Sequence, residues 1–499
     1  MIKLLDCTLR DGGYYPNWDF DKELIKNYFQ NIDKLPIEYI EIGYRSILKN
    51  EYLGEYFYLP LSTLKNIRKY TNKKLAIMLN SKDCYDVDLS QLLLDTKPYI
   101  SLIRIATDPN KIEFSIKLAK EIKSLGYEVA INLMYISKVN SNHKIFDYLE
   151  SIEEYIDTLN LVDSYGSIYP NELATLINQV KTKSNITLGF HGHNNMELAF
   201  ANTLIAIENG VEFIDSTILG MGRGAGNLKT ELLLTYLKSN KNLDVDLNIV
   251  AKITEIFQPL LDKYKWGTNL AYMVSGSYSL PQKDVMEALE INRYSLSGII
   301  NHIRKNNEIS LPKFKSNNKK DNCLIVGGGD SIFNHIVAIK EYLSLNKNII
   351  LIHSTSKYIE LFEDIKNMQL FCVSGDELLK VDGTIQSVSK YILEPTPRKI
   401  NAKIENKDNF YELEEIDFID SYHDSPLAIS LQTALELNAS NIYIVGFDGY
   451  SEMKSKKELY LMQENQTIIN SIKSKIELIS LTPTKYQNIK CSSIYGMIC

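Results

Sequence analysis

The chain has no apolar run of about 18 residues, the length a membrane-crossing helix needs, so no membrane span is expected. Its first residues, MIKLLDCTLRD, lack an apolar core long enough for a secretory leader. Cysteine is sparse: six residues in 499, at positions 7, 84, 323, 372, 491 and 499, with no CxxC pair and no framework spacing. That excludes a disulfide-stapled scaffold and makes a reduced, cytoplasmic setting the expectation. An excess of basic charge is also missing. The formal net charge is −7, and basic residues are scattered apart from a short run near 313–320, which gives no support for a nucleic-acid partner. There is no internal repeat beyond a β-α period and no low-complexity tract.

What is present is an alternating pattern. Continuous apolar runs occur at 3–8, 39–44, 74–80, 101–107, 128–136, 158–165, 186–193 and 213–220. Unbroken runs are expected of parallel strands buried on both faces. Each is followed by a segment of helical periodicity, such as KIEFSIKLAKEIKSLG, with Gly126 and Gly210 placed as C-terminal helix caps. Eight β-α units in about 240 residues predict an α/β fold with a TIM barrel; an open doubly wound sheet is the alternative. We expect the barrel over 1–243, a helical extension over 244–305, and a polar, lysine-rich linker over 306–322. A second, open Rossmann-like α/β domain is expected over 323–499, from strand-like runs at 323–331, 348–355, 368–375 and 439–450.

The C-terminal ends of barrel strands form the face that carries active sites. Asp11 is expected at the end of the first strand, and His191 and His193 at the end of the seventh. Residues two apart on a strand share a side, so both imidazoles can reach one ion, with Asp11 adding a carboxylate. Two nitrogens and an oxygen suit Mn²⁺, Mg²⁺, Co²⁺ or Zn²⁺. A lone HxH is more often structural; joined to a strand-end Asp it is a stronger signal. Glu41, Asn80, Arg104, Asn132 and Asp163 also lie near strand ends. Each could line a substrate pocket or satisfy buried backbone groups.

Three motifs, DCTLRDGG (6–13), HGHNN (191–195) and GMGRGAGN (220–227), together resemble the DRE-TIM metallolyase superfamily. Its members include 4-hydroxy-2-oxovalerate aldolase, 3-hydroxy-3-methylglutaryl-CoA lyase and isopropylmalate synthase. EIGY (41–44), VDSYGSIYP (162–170) and KWGTNLAYMVSG (265–276) extend the likeness over about residues 1–300, the last resembling the helical segment after the aldolase barrel. The resemblance implies that Asp11, His191 and His193 hold a divalent metal, Mn²⁺ or Mg²⁺ first. It implies that Arg10 steadies the enolate of a 2-oxo acid and that Asn227 lies at or near the metal. Asp6 is expected to be structural and Cys7 an inert, buried thiol. One departure stands out. The hydroxy-oxovalerate aldolases carry a histidine soon after RDG as acid/base, whereas here Tyr14 and Tyr15 follow. Tyr14 is a candidate proton donor; Tyr15 is expected to pack. GMGRGAGN has no cysteine, which argues against the coenzyme A lyases.

In the second domain, CLIVGGGDS places three glycines after a strand, a turn that lets a backbone approach a phosphate. The segment 423–452 resembles the C-terminal half of the Rossmann-like domains of bacterial sialyltransferase-like and 6-hydroxymethylpterin pyrophosphokinase-like proteins. Together these offer Gly327, Gly328, Gly329, Asp330, Ser425 and Asp448 as contacts to a nucleotide or nucleotide-sugar; otherwise the glycines serve strand-helix packing. Together the readings predict a metal-dependent carbon–carbon lyase, an aldolase acting on a pyruvate-type enolate. Its partners would be a small 2-oxo acid and an aldehyde or a hydroxy-oxo acid, in the synthesis of an unusual cell-surface sugar, with a homodimer expected. An acetyl-CoA-dependent Claisen synthase is one alternative. A silent barrel with a transferase or nucleotide-binding C-terminal domain is another.

Overall fold

The computed structural model describes residues 2–140, 143–291, 295–303, 310–315, 322–375, 377, 385–396, 398, 408–450 and 455–499. The chain divides into two compact units, Met1–Met286 and Glu287–Cys499.

The first unit is the closed eight-stranded barrel. Its strands are β1 (Lys3–Asp6), β2 (Tyr39–Tyr44), β3 (Lys74–Asn80), β4 (Leu102–Thr107), β5 (Glu128–Leu133), β6 (Thr158–Asp163), β7 (Leu188–Gly192) and β8 (Phe213–Ser216). They pair in chain order, and β8 closes on β1 with Leu5 opposite Asp215. Every pair is parallel, and each of the eight expected apolar runs contains one strand. Alternation sorts the side chains. Leu4, Ile40, Ile103 and Ile214 face the surrounding helices, while Leu5, Tyr39, Leu102, Ala130 and Phe213 fill the barrel floor. Two residues further along, on the same side of each strand, stand Glu41, Arg104, Asn132 and Asp215, all buried. The floor is apolar and the next layer is polar. Asn160 belongs to that layer, donating to Asn132 Oδ1 at 3.0 Å. It fits because its neighbour on β7 is glycine: a Cβ on Gly189 would stand 1.7 Å from Asn160 Oδ1.

After the barrel, helices run over Leu247–Tyr264, Leu270–Ser277, Gln282–Ile291 and Leu296–Ile303, matching the helical periodicity of that stretch. The longest packs against the helix Lys22–Ile32. No helix among the described residues is long and apolar enough to cross a membrane.

The second unit is one parallel sheet of eight strands. These are β9 (Asn322–Val326), β10 (Ile350–His353), β11 (Gln369–Val373), β12 (Lys390–Leu393), β13 (Phe410–Glu412), β14 (Asn441–Val445), β15 (Leu478–Ser480) and β16 (Lys490–Cys491). The spatial order β13-β12-β11-β10-β9-β14-β15-β16 switches direction between β9 and β14, the hallmark of an open doubly wound sheet. Alternate residues face two different cores: Cys323, Ile325 and Ile352 one, Leu324, Val326 and Leu351 the other. The four longest apolar runs were legible as β9, β10, β11 and β14. The outer strands β12, β13, β15 and β16, two to four residues each, carry too short an apolar run to register as strands. Residues 310–315 run beside β13, with Leu311 and Phe314 buried.

The crowding at β6 and β7 gives a test. Gly189→Ala should destabilise the barrel by about 1–3 kcal/mol in urea unfolding, the usual range for overpacking. Combining it with Asn160→Ala should cost less than the sum of the two single changes. Strict additivity would mean the two positions do not share this space.

Candidate active site

The DCTLRDGG motif leaves β1 and turns at once into a short helix, Thr8–Gly12, closed by Asp11 N–H donating to Cys7 O at 2.9 Å. Arg10 and Asp11 therefore ride on a helical turn, not on the strand end where sequence reading put Asp11. Asp6, the last residue of β1, anchors the turn. Its carboxylate accepts from Tyr28 Oη at 2.6 Å, Thr8 N at 3.0 Å and Thr230 Oγ1 at 3.2 Å. The motif's second glycine admits Trp18: a Cβ on Gly13 would stand 2.1 Å from the indole, whose Nε1 donates to Arg10 O at 2.9 Å. Cys7 is fully buried in the barrel floor, where burial pushes its thiol well up and leaves it unreactive.

From this turn a ring of buried charges runs round the polar layer. Arg10 Nη1 donates to Asp11 Oδ1 at 2.7 Å and its Nε to Glu41 Oε2 at 2.7 Å. Glu41 Oε2 lies 3.2 Å from Arg104 Nη1, and Arg104 Nη2 donates to Asp215 Oδ2 at 2.5 Å. Asp215 Oδ2 lies 2.9 Å from His191 Nδ1, and His191 Nε2 comes back to within 3.7 Å of Asp11 Oδ2. Glu41 and Arg104, weighed as pocket residues from sequence, are thus members of this ring and do not line the cavity.

Three ligand-type groups converge where the ring closes. One donor atom each of Asp11, His191 and His193 lie within 4.8 Å of one another. Their charge states suit a cation. Burial alone would raise the Asp11 carboxyl, but the Arg10 guanidinium, with Arg223 adding to it, outweighs burial and holds the group well below the usual range. Burial pushes His193 down to about 3, leaving a neutral imidazole, the form that coordinates metals. Buried polar atoms without partners among the described residues point the same way: His193 Nδ1 and Asn227 Oδ1. Asn227, paired with His193 as an isolated bridge, donates from Nδ2 to Asp11 Oδ2. The donor set fits a hard or borderline divalent ion. Asp215 was missed from sequence, although an acid inside an apolar strand was a signal. With His191 Nδ1–H donating to it, it would fix the tautomer that presents Nε2.

A cavity of about 260 Å³ opens above the layer, walled in part by Arg10, Tyr14, Asn80, Asn132, His191 and His193. Tyr14 Oη lies 3.3 Å from Tyr44 Oη, and its ring stacks under the guanidinium of Arg223 at 4.4 Å. Arg223, the lone cation of GMGRGAGN, was also missed. Tyr15 packs against Tyr264 and Trp266 instead. Asp163 accepts backbone N–H groups from Ser167 and Ile168 at 3.0 and 3.3 Å, off the cavity wall, and burial raises its carboxyl to about 7.

In the second unit the glycine turn after β9 is tightly packed. A Cβ on Gly327 would stand 2.5 Å from Gly446 O, and one on Gly329 would stand 2.4 Å from the Asp448 carboxyl carbon. Asp448 accepts from Ser331 N at 2.9 Å and from the Ser331 hydroxyl, so a protein carboxylate caps the helix Ser331–Leu345. Packing accounts for these two glycines without a phosphate. Gly328 is less crowded, its O accepting from Lys357 Nζ at 3.0 Å. Exposed Asp330 pairs with Lys357 and Tyr358, each at 3.0 Å. Ser425, at the N-terminus of the helix Pro426–Glu436, is buried with its hydroxyl unpartnered among the described residues.

Comparison with known proteins falls in line with the barrel. A family model described as HMGL-like matches residues 102–258. A 4-hydroxy-2-oxovalerate aldolase of Geobacillus thermodenitrificans is 29% identical over 280 residues, covering 52% of this chain and 78% of that protein. An oxaloacetate decarboxylase of Mycobacterium tuberculosis is 28% identical over 254 residues, covering 49% and 73%. Among solved structures, the N-terminal domain of a candidate aldolase from Bacteroides vulgatus is 47% identical. The match covers 60% of this chain and 99% of that domain, with a TM-score of 0.57. Through its barrel, this chain belongs to the HMGL-like family of the DRE-TIM superfamily.

Proposed function

We propose that the barrel is a divalent-metal-dependent aldolase that makes or breaks a carbon–carbon bond to the enolate of pyruvate or a close 2-oxo acid. The observation that carries this is Arg10. Its guanidinium is held between Asp11 and Glu41 and lines the cavity beside His191 and His193. Asp11, His191 and His193 would hold the ion, with Asn227 steadying Asp11. A bound divalent ion supplies Lewis-acid polarisation of the acid's ketone and carboxylate oxygens.

The chain's own residues do the rest. Arg10, fixed by two carboxylates, presents positive charge where the enolate oxygen develops, without reorganising at the moment of reaction. In the cleavage direction the hydroxyl proton of the adduct leaves as the bond between C3 and the carbinol carbon breaks. The electron pair passes to C3, giving enolate and aldehyde. Tyr14 takes the place of the relatives' histidine, its phenol in the cavity wall and in reach of Tyr44, so it would hold or relay that proton. The relatives named as an aldolase and a decarboxylase of 2-oxo acids support this class of substrate. For the second unit we propose a ligand in the crevice at the β9/β14 switch, where open α/β sheets take theirs. A nucleotide or nucleotide-sugar there would join the reaction to the making of a cell-surface sugar.

Two measurements test the barrel. Pyruvate C3 protons should exchange with D₂O in the Mg²⁺- or Mn²⁺-loaded protein, followed by NMR, and chelation should stop it. Arg10→Ala should slow exchange about 10²–10³-fold, the cost of losing one oxyanion donor. Exchange at the wild-type rate in the variant would overturn Arg10's role, and no exchange in the metal-loaded wild type would overturn the pyruvate reading. Separately, Asp215→Asn should weaken Mn²⁺ binding about 10–100-fold by calorimetry, as loss of a partner behind a metal-binding histidine does. Unchanged affinity would show that His191 does not bind the ion with the support of Asp215.

A further inference from the structure

The polar layer accounts for Arg10, but not for three other cations on the same cavity. Lys82 lies in the turn Ser81–Asp83 after β3, Lys111 in the turn Pro109–Lys111 after β4, and Arg223 in the loop after β8. All three line the cavity. None forms an ion pair among the described residues. Lys111 Nζ stands 5.7 Å above the Tyr85 ring, and Arg223 Nε is buried without a hydrogen-bond partner. Among the described residues the single carboxylate on the wall is Asp108, already accepting from Asn110 N at 2.9 Å and Asn110 Nδ2 at 3.1 Å. Arg10 is paired with Asp11 and Glu41; none of these three is paired with a carboxylate among the described residues, although Arg223 feels the field of Asp11.

We propose that the aldehyde taken by this site carries a phosphate group, held by Lys82, Lys111 and Arg223. This rests on the pyruvate reading above, in which the 2-oxo acid occupies the end of the cavity beside Arg10 and the metal ligands. The acceptor then extends past Arg10 along a wall that carries these three cations. Three separate donors from three loops suit a dianion with three oxygens. A single carboxylate would be served by one planar guanidinium, as in a fork-to-fork pair. The unpartnered Arg223 Nε supplies a buried donor that a phosphate oxygen would satisfy. A neutral aldehyde such as a short alkanal would leave all three charges without a partner.

The test reads binding, not turnover. Glycerol 3-phosphate and glycerol are titrated by calorimetry into the Mg²⁺-loaded full-length protein at fixed ionic strength, with acetate and coenzyme A as comparators. Glycerol 3-phosphate should bind saturably in the millimolar range or tighter, and glycerol should not. The double substitution Lys82→Ala/Lys111→Ala should weaken binding at least about tenfold, while Lys82→Arg/Lys111→Arg keeps it within about threefold. Absence of saturable binding would overturn the subsite, as would binding untouched by the alanine pair, which would place the phosphate on the metal. Acetate binding more tightly than glycerol 3-phosphate would overturn the choice of phosphate. Coenzyme A binding more tightly, with the same dependence on the lysines, would overturn the aldehyde in favour of an acyl-CoA. Proton exchange without phosphate binding removes the subsite alone; phosphate binding without exchange removes the pyruvate reading and leaves the subsite.

Discussion

The barrel depends on the closed ring of buried charge formed by Asp11, Arg10, Glu41, Arg104, Asp215 and His191. Charges away from water are costly unless each is paired and hydrogen-bonded. Here each guanidinium is flanked by two carboxylates. Arg104 also donates from Nε to Asn132 Oδ1 at 3.1 Å, and Asn132 accepts in turn from Asn160. Removing one member would strand its neighbours, so the ring fixes the orientation of Arg10 and His191 far more tightly than either could alone. Apart from His191, three carboxylates stand against two guanidiniums in the ring. A divalent cation beside Asp11 would offset the excess of carboxylate and so couple its binding to the fold.

The layers of the barrel divide the work. The apolar floor of Leu5, Tyr39, Leu102, Ala130 and Phe213 excludes water beneath the ring and keeps the local dielectric low. The ring above it aims a guanidinium and the candidate metal ligands at one region. Above these, the loops after β3, β4 and β8 bring Lys82, Lys111 and Arg223. Going up the barrel, side chains pass from apolar, to charged and paired, to charged and unpaired with any carboxylate among the described residues. That order is what a substrate with one acidic end and one more distant anionic group would meet.

Much of this was legible in the sequence, for identifiable reasons. The eight strands read cleanly because burial on both faces makes each a continuous apolar run. The HxH spacing and the Arg-Asp pair were legible because strand periodicity and motif order are local properties. Asp215 and the ring were not, because the link from Arg104 to Asp215 spans 111 positions and exists only once β8 closes on β1. Glu41 and Arg104 were recognised as polar strand-end residues but not as each other's partners, which is a matter of barrel register. In the second unit, the glycine turn pointed to a phosphate. The cap that Asp448 provides, more than a hundred residues away, could not be read from the turn itself.

The exchange of histidine for Tyr14 after the RDG motif is best understood with its surroundings. Tyr14 meets Trp18 edge-on at 4.6 Å, and Trp18 in turn meets Tyr44 and Phe57, so one wall of the cavity is aromatic. That wall is tied to the motif by the Trp18 bond to Arg10 O and by the lack of a side chain at Gly13. An imidazole in place of Tyr14 would offer a smaller face than the phenol ring on which Arg223 rests at 4.4 Å. The phenol therefore supplies two things at once: a hydroxyl in the cavity beside Tyr44, and a π surface that holds a guanidinium there without neutralising it. A carboxylate partner would also hold Arg223, but it would cancel the charge. Stacking on an aromatic ring keeps the cation available to a ligand, which links the departure from the relatives' motif to the positive mouth of this barrel.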